Sequence, residues 1–228
     1  DPGHPLINKA ISGLYPPGSC FKVATALSLL ETGHINRFST QYCPGYFDLG
    51  TSRFHCWKHN GHGTINVVTA LAQSCDVFFY KNAVDLGIDA LADYAMKLGL
   101  GSKTGIELDE DKAGLMPTRA WKEGRTAEAW QPGETIVAAI GQGYTIASPL
   151  QLAVMAARIA TGRIVQPSLV KKARHAPFAG AGFTGEEVSL VRAAMRDVVN
   201  GPGTAGRAKL PVPDVLMAGK AGTAQVVG

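Results

Sequence analysis

Ser19-Cys20-Phe21-Lys22 sets a hydroxyl and an amine three residues apart. On a helix, positions i and i+3 share a face. A lysine there can take the serine proton, and the helix N-terminus favours the alkoxide that forms. The spacing alone is weak evidence, because ordinary Ser and Lys usage produces it by chance, and a plain N-cap serine would look the same. A second copy, Ser168-Leu169-Val170-Lys171, follows Pro167 in strand-like sequence, where i and i+3 face opposite sides; it is set aside. Ser74-Cys75-Asp76 is the next constellation. Its hydroxyl and carboxylate flank one residue at a helix junction and could relay protons and position a substrate amide; the bland alternative is a polar break between two helices. The third is Lys220-Ala221-Gly222-Thr223, between Val215-Leu216-Met217-Ala218 and Ala224-Gln225-Val226-Val227. Read as strand, it could hold an extended substrate, with Lys220 for a carboxylate and Gly222 for close backbone approach. The literal Lys103-Thr104-Gly105 follows a turn and is flanked by loop sequence, so residues 220–223 are preferred.

These groups need elements to carry them. Pro16-Pro17-Gly18 breaks the chain before Ser19, and Phe21, Ala24, Ala26, Leu27, Leu29 and Leu30 supply an apolar helix face that Gly33 closes. Residues 34–63 lack periodicity and read as a long loop or twisted hairpin. Helical patterning returns from 66 to about 86, broken near Ser74, and again over 88–98. Residues 99–133 read as mostly irregular, with Pro117 and Pro132 as breakers. Pro149 opens a helix to about 160. Ile164-Val165 and Leu169-Val170 look like strand, Thr184-x-x-Glu187 like a capping box for a helix to about 199, and 215–218 like the approach to a last strand. The class is α+β, with helices in the majority.

Composition agrees. The chain has 228 residues, enough for a sizeable core, and 46% hydrophobic content excludes disorder. Charged residues are 18%, below the usual ~25%, which excludes a coiled coil. The net charge of +4 is too small and too scattered for a nucleic-acid footprint. No run of 18 apolar residues exists, so no span is expected here. Both ends read as cut from something longer, with the last residues resembling a strand interrupted in mid-sheet.

Together, in order, the three constellations resemble the transpeptidase domain of class B penicillin-binding proteins of the elongation type. Further residues carry the resemblance: Gly13-Leu14-Tyr15-Pro16-Pro17-Gly18-Ser19, Trp57-Lys58 with Gly61-His62-Gly63, Gly141-Gln142-Gly143-Tyr144, Ser148-Pro149-Leu150-Gln151-Leu152-Ala153, and Gly203-Thr204-Ala205. It covers essentially the whole chain. It implies one domain over 1–228, a helix-rich fold with an antiparallel sheet of the penicillin-binding protein/serine β-lactamase type, and a membrane anchor, pedestal domain and C-terminal strands lying outside this sequence. It also implies a Ser19 nucleophile, a Lys22 base, a relay through Ser74 and Asp76, and carboxylate binding by Lys220, Gly222 and Thr223. Backbone N–H groups of Ser19 and Thr223 would form the oxyanion hole. The implied reaction is peptidoglycan D,D-transpeptidation of D-Ala-D-Ala stem peptides on the periplasmic side of the inner membrane, with β-lactams as inhibitors, a membrane glycosyltransferase as partner and no catalytic cofactor. The rival readings are a penicillin-sensing or scaffolding domain and a serine β-lactamase. Asp76 stands where most relatives outside this subfamily have Asn, and Ala221 where Ser or Thr is usual.

The cysteines form a further pattern. Cys43-x12-Cys56-x5-His62-x12-Cys75 offers three thiolates and an imidazole, a complete set for structural tetrahedral zinc, though not with the spacing of a standard zinc finger. The alternatives are a Cys43–Cys56 disulfide, suited to a family that works outside the cytoplasm, and plain unpaired thiols. Metal is favoured because the loop has few aliphatic residues with which to hold itself, and because Cys75 lies between Ser74 and Asp76. Cys20 is expected to pack as a small buried hydrophobe.

Overall fold

In the computed structural model, which describes residues 6–171, 177–183 and 185–223, one helix is buried on every side and therefore central. This is α2 (Lys22–Glu31), in which Val23, Ala24, Ala26, Leu27 and Leu29 are fully buried. Each such Leu or Val contributes roughly 1.5–3 kcal/mol by leaving water. The rest of the chain wraps this rod. α1 is Lys9–Ser12, and α3 (Val67–Ala72), α4 (Asp76–Leu86), α5 (Ile88–Lys97) and α9 (Gly185–Asn200) all pack on α2. α6 (Arg119–Thr126), α7 (Pro132–Ala139) and α8 (Pro149–Thr161) complete the helices, with α7 against α4 and α8 against α1 and α9. Thr25 Oγ1 donates to Ala139 O at 2.7 Å, fixing α7 over the start of α2.

Residues 34–63 form a nested pair of antiparallel ribbons. β1 (Thr40–Cys43) pairs with β4 (Gly63–Asn66), and β2 (Tyr46–Leu49) pairs with β3 (Ser52–His55) between them. The twisted-hairpin alternative is the one the chain adopts. β4 runs straight into α3, where Asn66 accepts from Thr69 N at 3.0 Å as N-cap. The helical stretch from 66 is indeed broken near Ser74, into α3 and α4. The class is α+β with helices in the majority.

Four expectations need correction. α6 and the start of α7 lie in the stretch read as irregular. Ser19 is no N-cap: it lies inside a 3-10 turn, Gly18–Phe21, that runs on into α2. Residues 164–170 form no strand: an isolated bridge, Arg163 with Gly180, precedes them, Ile164 N donates to Ala179 O at 2.8 Å, and Leu169 N donates to Glu107 at 3.2 Å. Residues 215–218 form no strand either, and Val215, Leu216 and Met217 stay exposed. That segment instead hangs on α9, through Asn200 Nδ2 to Met217 O at 2.7 Å and Gly219 N to Met195 O at 3.0 Å. The expected cap Thr184 and the expected strand 224–227 lie outside the described residues.

Candidate active site

The 3-10 turn puts Ser19 at the mouth of α2 and Lys22 at its first helical position, fully buried. Gly18 N donates to Gly141 O at 2.9 Å, and Gly18 needs to be glycine: φ is +55°, and a Cβ would meet Thr223 O. Gly222 meets the same turn from the other side, where a Cβ would come within 2.8 Å of Cys20 Sγ. The two glycines thus let the 220–223 segment lie against the serine turn without a sheet.

Ser74 closes α3 in the left-handed region, φ +57°, which costs a residue with a Cβ about 1–2 kcal/mol. Several donors hold it there. Lys22 Nζ reaches Ser74 O at 2.9 Å and Ser74 Oγ at 3.3 Å, and Trp57 Nε1 reaches Ser74 O at 3.1 Å. Lys220 Nζ donates to Ser74 Oγ at 2.8 Å. Asp76, in the first turn of α4, divides its oxygens: Oδ1 accepts from Lys22 Nζ at 2.6 Å and Oδ2 from Trp57 N at 2.9 Å. The lone serine hydroxyl of the α3–α4 turn therefore bridges two lysines that arrive from opposite ends of the chain.

Burial, and then the charge of Lys22, push the Lys220 ammonium down to about 8. Burial and the nearby Asp76 carboxylate push the Tyr80 phenol well above its usual range, which keeps it a neutral donor to His55 O at 3.3 Å.

These groups surround a cavity of about 810 Å³, lined by Ser19, Ser74, Asp76, Ala221 and Thr223 among others. Lys22 lies beneath it and Lys220 reaches it through Ser74. All the predicted catalytic and substrate-binding positions therefore come together. Thr223 O accepts from Gln142 Nε2 at 3.2 Å. The cavity also takes His55, His59, Tyr80, Val137 and Ile140, to which the sequence reading assigned no role; only their place near Trp57-Lys58 and Gly141-Gln142 hinted at them. The set-aside motifs stay apart. Ser168 Oγ donates to Glu107 on the surface, and Thr104 Oγ1 to Asp111 Oδ2 at 3.1 Å.

Behind the Ser74–Asp76 turn, Cys43, Cys56, His62 and Cys75 converge with all ligand atoms within 4.8 Å of one another. All four cysteines of the chain are free, so the Cys43–Cys56 disulfide is not formed. His62 Nδ1 lies 3.6 Å from Cys43 Sγ and 3.5 Å from Cys56 Sγ. A tetrahedral zinc with Zn–S ~2.3 Å and Zn–N ~2.0–2.1 Å separates sulfur and nitrogen by about 3.5 Å, so the donor set fits. A hydrogen bond from the Cys75 thiol holds Cys56 down to about 5, and the same bond, with burial, pushes Cys75 up.

The sequence matches the penicillin binding protein transpeptidase domain over residues 1–228. It is 40% identical over 243 residues to the peptidoglycan D,D-transpeptidase MrdA of Escherichia coli K12, covering 100% of this chain and 38% of that protein. The chain thus spans well under half the length of the curated relatives it matches. Among solved structures it resembles PBP2 of Helicobacter pylori in complex with MreC (TM-score 0.92, 34% identity, 99% of this chain and 43% of that one). It also resembles PBP2 of Pseudomonas aeruginosa in complex with WCK 5153 (TM-score 0.90, 35% identity, 99% and 54%).

Proposed function

Since the chain belongs to the penicillin-binding protein transpeptidase family, with the fold of elongation-type members, we propose that it is a peptidoglycan D,D-transpeptidase domain spanning residues 1–228. The observation that carries this reading is Ser74 Oγ, set between Lys22 and Lys220 on the wall of the cavity that Ser19 opens into.

Ser19 Oγ attacks the carbonyl carbon of a D-Ala-D-Ala bond. Lys22 takes the hydroxyl proton, and the Asp76 carboxylate at 2.6 Å balances the resulting ammonium. The backbone N–H groups of Ser19 and Thr223 receive the oxyanion, worth about 3–4 kcal/mol. The proton passes through Ser74 to the leaving D-Ala amine. An amine of a second stem peptide then attacks the acyl carbon and frees Ser19. Lys220 and Thr223 hold the terminal carboxylate of the substrate or of a β-lactam, with Gly222 allowing the backbone to approach. No Glu lines the cavity among the described residues, which favours slow hydrolysis of the acyl-enzyme over β-lactamase turnover.

Cys43, Cys56, His62 and Cys75 would hold a structural zinc, supplying order and no chemistry. The partners in this reading are stem peptides and a membrane glycosyltransferase. MreC, seen with the Helicobacter pylori relative, is a further one. The site of action is the periplasmic face of the inner membrane.

Labelling with a fluorescent penicillin, followed by mass spectrometry of the modified peptide, tests the reading. The expected result is one adduct, on Ser19, lost in Ser19→Ala. An adduct on Ser168, or a Ser19→Ala variant that still labels, would overturn it. A chromogenic cephalosporin should give a stoichiometric burst; rapid steady turnover would point to a lactamase.

A further inference from the structure

A second cleft, of about 340 Å³, lies beside the catalytic cavity between the loop after β3 and the loop after α9, lined by Trp57, Lys58, Gln73, Gly203 and Thr204 among others. It shares Trp57 and Thr204 with the larger cavity, so the two adjoin along a wall that these residues form. Both walls are fixed. Trp57 is 56% exposed, yet its indole N–H is held by Gln73 O and Ser74 O, both at 3.1 Å, and its ring meets His62 edge-on. Opposite, Thr204 N donates to Ala72 O at 3.2 Å, and Gly203 is pressed so closely on Asp197 and Val198 that a Cβ would clash with their backbone. A rigid, exposed aromatic facing a backbone-built wall is preorganised for a ligand.

The charge of the cleft restricts what the ligand is. Among the described residues no carboxylate lines it; its titratable side chains are the cationic Lys58 and His62, whose ring also faces the cysteine cluster. Acyl transfer needs a second substrate whose amine must be unprotonated to attack. An acidic wall would stabilise the ammonium and silence it; a basic wall does the reverse. We propose that this cleft is the acceptor subsite, taking a peptide whose attacking amine lies next to a carboxylate. The carboxylate pairs with Lys58, the chain lies across Trp57, and the amine points over the shared wall towards the acyl group on Ser19. There the amine nitrogen forms the new C–N bond, the C–Oγ bond of Ser19 breaks, and the amine proton returns to Ser19 Oγ. The inference rests on the transpeptidase reading above and deepens it.

The test separates the two. The protein is acylated with a thioester donor, and the acyl-enzyme is partitioned between water and an added acceptor, either D-alanine or its amide. Lys58→Glu is expected to lower the ratio of transfer to hydrolysis with D-alanine by about three- to tenfold, the range for one partly exposed charged hydrogen bond. Transfer to the amide should be insensitive to the change, and Lys58→Arg should keep the wild-type ratio. Equal ratios in Lys58→Glu and wild type for D-alanine, or an equal loss for the amide, would overturn the subsite. Failure of Ser19 to acylate at all would instead bring down the underlying reading, and the subsite with it.

Discussion

At the scale of single residues, the buried Lys22–Asp76 pair decides how the site tolerates change. Lys22 is fully buried and Asp76 nearly so, with 2.6 Å between their charged atoms. Removing one partner of such a pair strands the other. Asp76→Ala is therefore expected to destabilise the fold by about 3–5 kcal/mol. Asp76→Asn should cost less, because an amide oxygen still accepts from Lys22. Urea unfolding of both variants checks this; equal losses would show that the charge, not the acceptor, is what matters. Lys220 carries a pH signature. Its ammonium, held down to about 8, should stop binding a substrate carboxylate as pH rises through that value, so the second-order rate of acylation by penicillin should fall there. Lys220→Arg, which stays charged, should move the fall to higher pH, and an unmoved limb would assign it to another group. The same shift acts on stability with a definite sign. The unfolded lysine titrates near 10.4, so between about 8 and 10.4 the unfolded chain binds more protons and stability rises with pH.

At the scale of elements, what could be read from the sequence and what could not have separate physical causes. α2, α5, α8 and α9 carry long apolar patterns with ordinary stops, and the break at Ser74 was visible as polar residues interrupting a helical run. α6, Arg119–Thr126, was not visible: it has one large apolar residue, Trp121, a mid-helix Gly124, and depends on Thr118 accepting from Trp121 N at 3.0 Å. α7 hides behind Pro132-Gly133 and a capping box built from Gln131 and Glu134 rather than Ser or Thr. The false strand at 215–218 came from an apolar run whose side chains in fact face solvent; alternation and β-branching cannot report a missing neighbour. The candidate catalytic residues could be picked out because three spaced motifs had to agree. The histidines of the cavity wall were not, since a loop histidine has no pattern of its own. Gln151 shows a motif residue that serves the frame instead of the chemistry. Fully buried on α8, its Nε2 donates to Ser102 O at 2.7 Å and Ala113 O at 2.8 Å, and its Oε1 accepts from Ser148 N at 2.8 Å. Gln151→Leu leaves these backbone groups unpaired and should lower stability by about 2–4 kcal/mol. A drop in thermal midpoint with one-to-one labelling retained at low temperature is the expected outcome; a loss of labelling without a loss of stability would place Gln151 in the site.

At the scale of the whole molecule, the four metal-capable residues join parts of the chain that secondary structure leaves loosely tied. Cys43 ends β1, Cys56 and His62 bracket the loop after β3, and Cys75 sits between the two residues of the second motif. The ribbon region holds few buried aliphatics, Ile65 being one, so its own hydrophobic contribution is small and a bound metal would supply the remainder. The loop it braces carries Trp57, whose two N–H groups hold Asp76 Oδ2 and Ser74 O. Order at the metal cluster and geometry at the catalytic turn are therefore one problem. Protein purified without chelator should contain about one equivalent of zinc by elemental analysis. Stripping it should lower both the thermal midpoint and the rate of Ser19 acylation, and readdition should restore both. His62→Ala should reproduce the stripped protein, because it removes a ligand and leaves Ser19, Lys22, Ser74 and Asp76 in place. Less than half an equivalent of zinc with Cys43 and Cys56 cross-linked in a non-reducing digest would refute the site. Full acylation by a zinc-free protein of unchanged midpoint would refute the coupling.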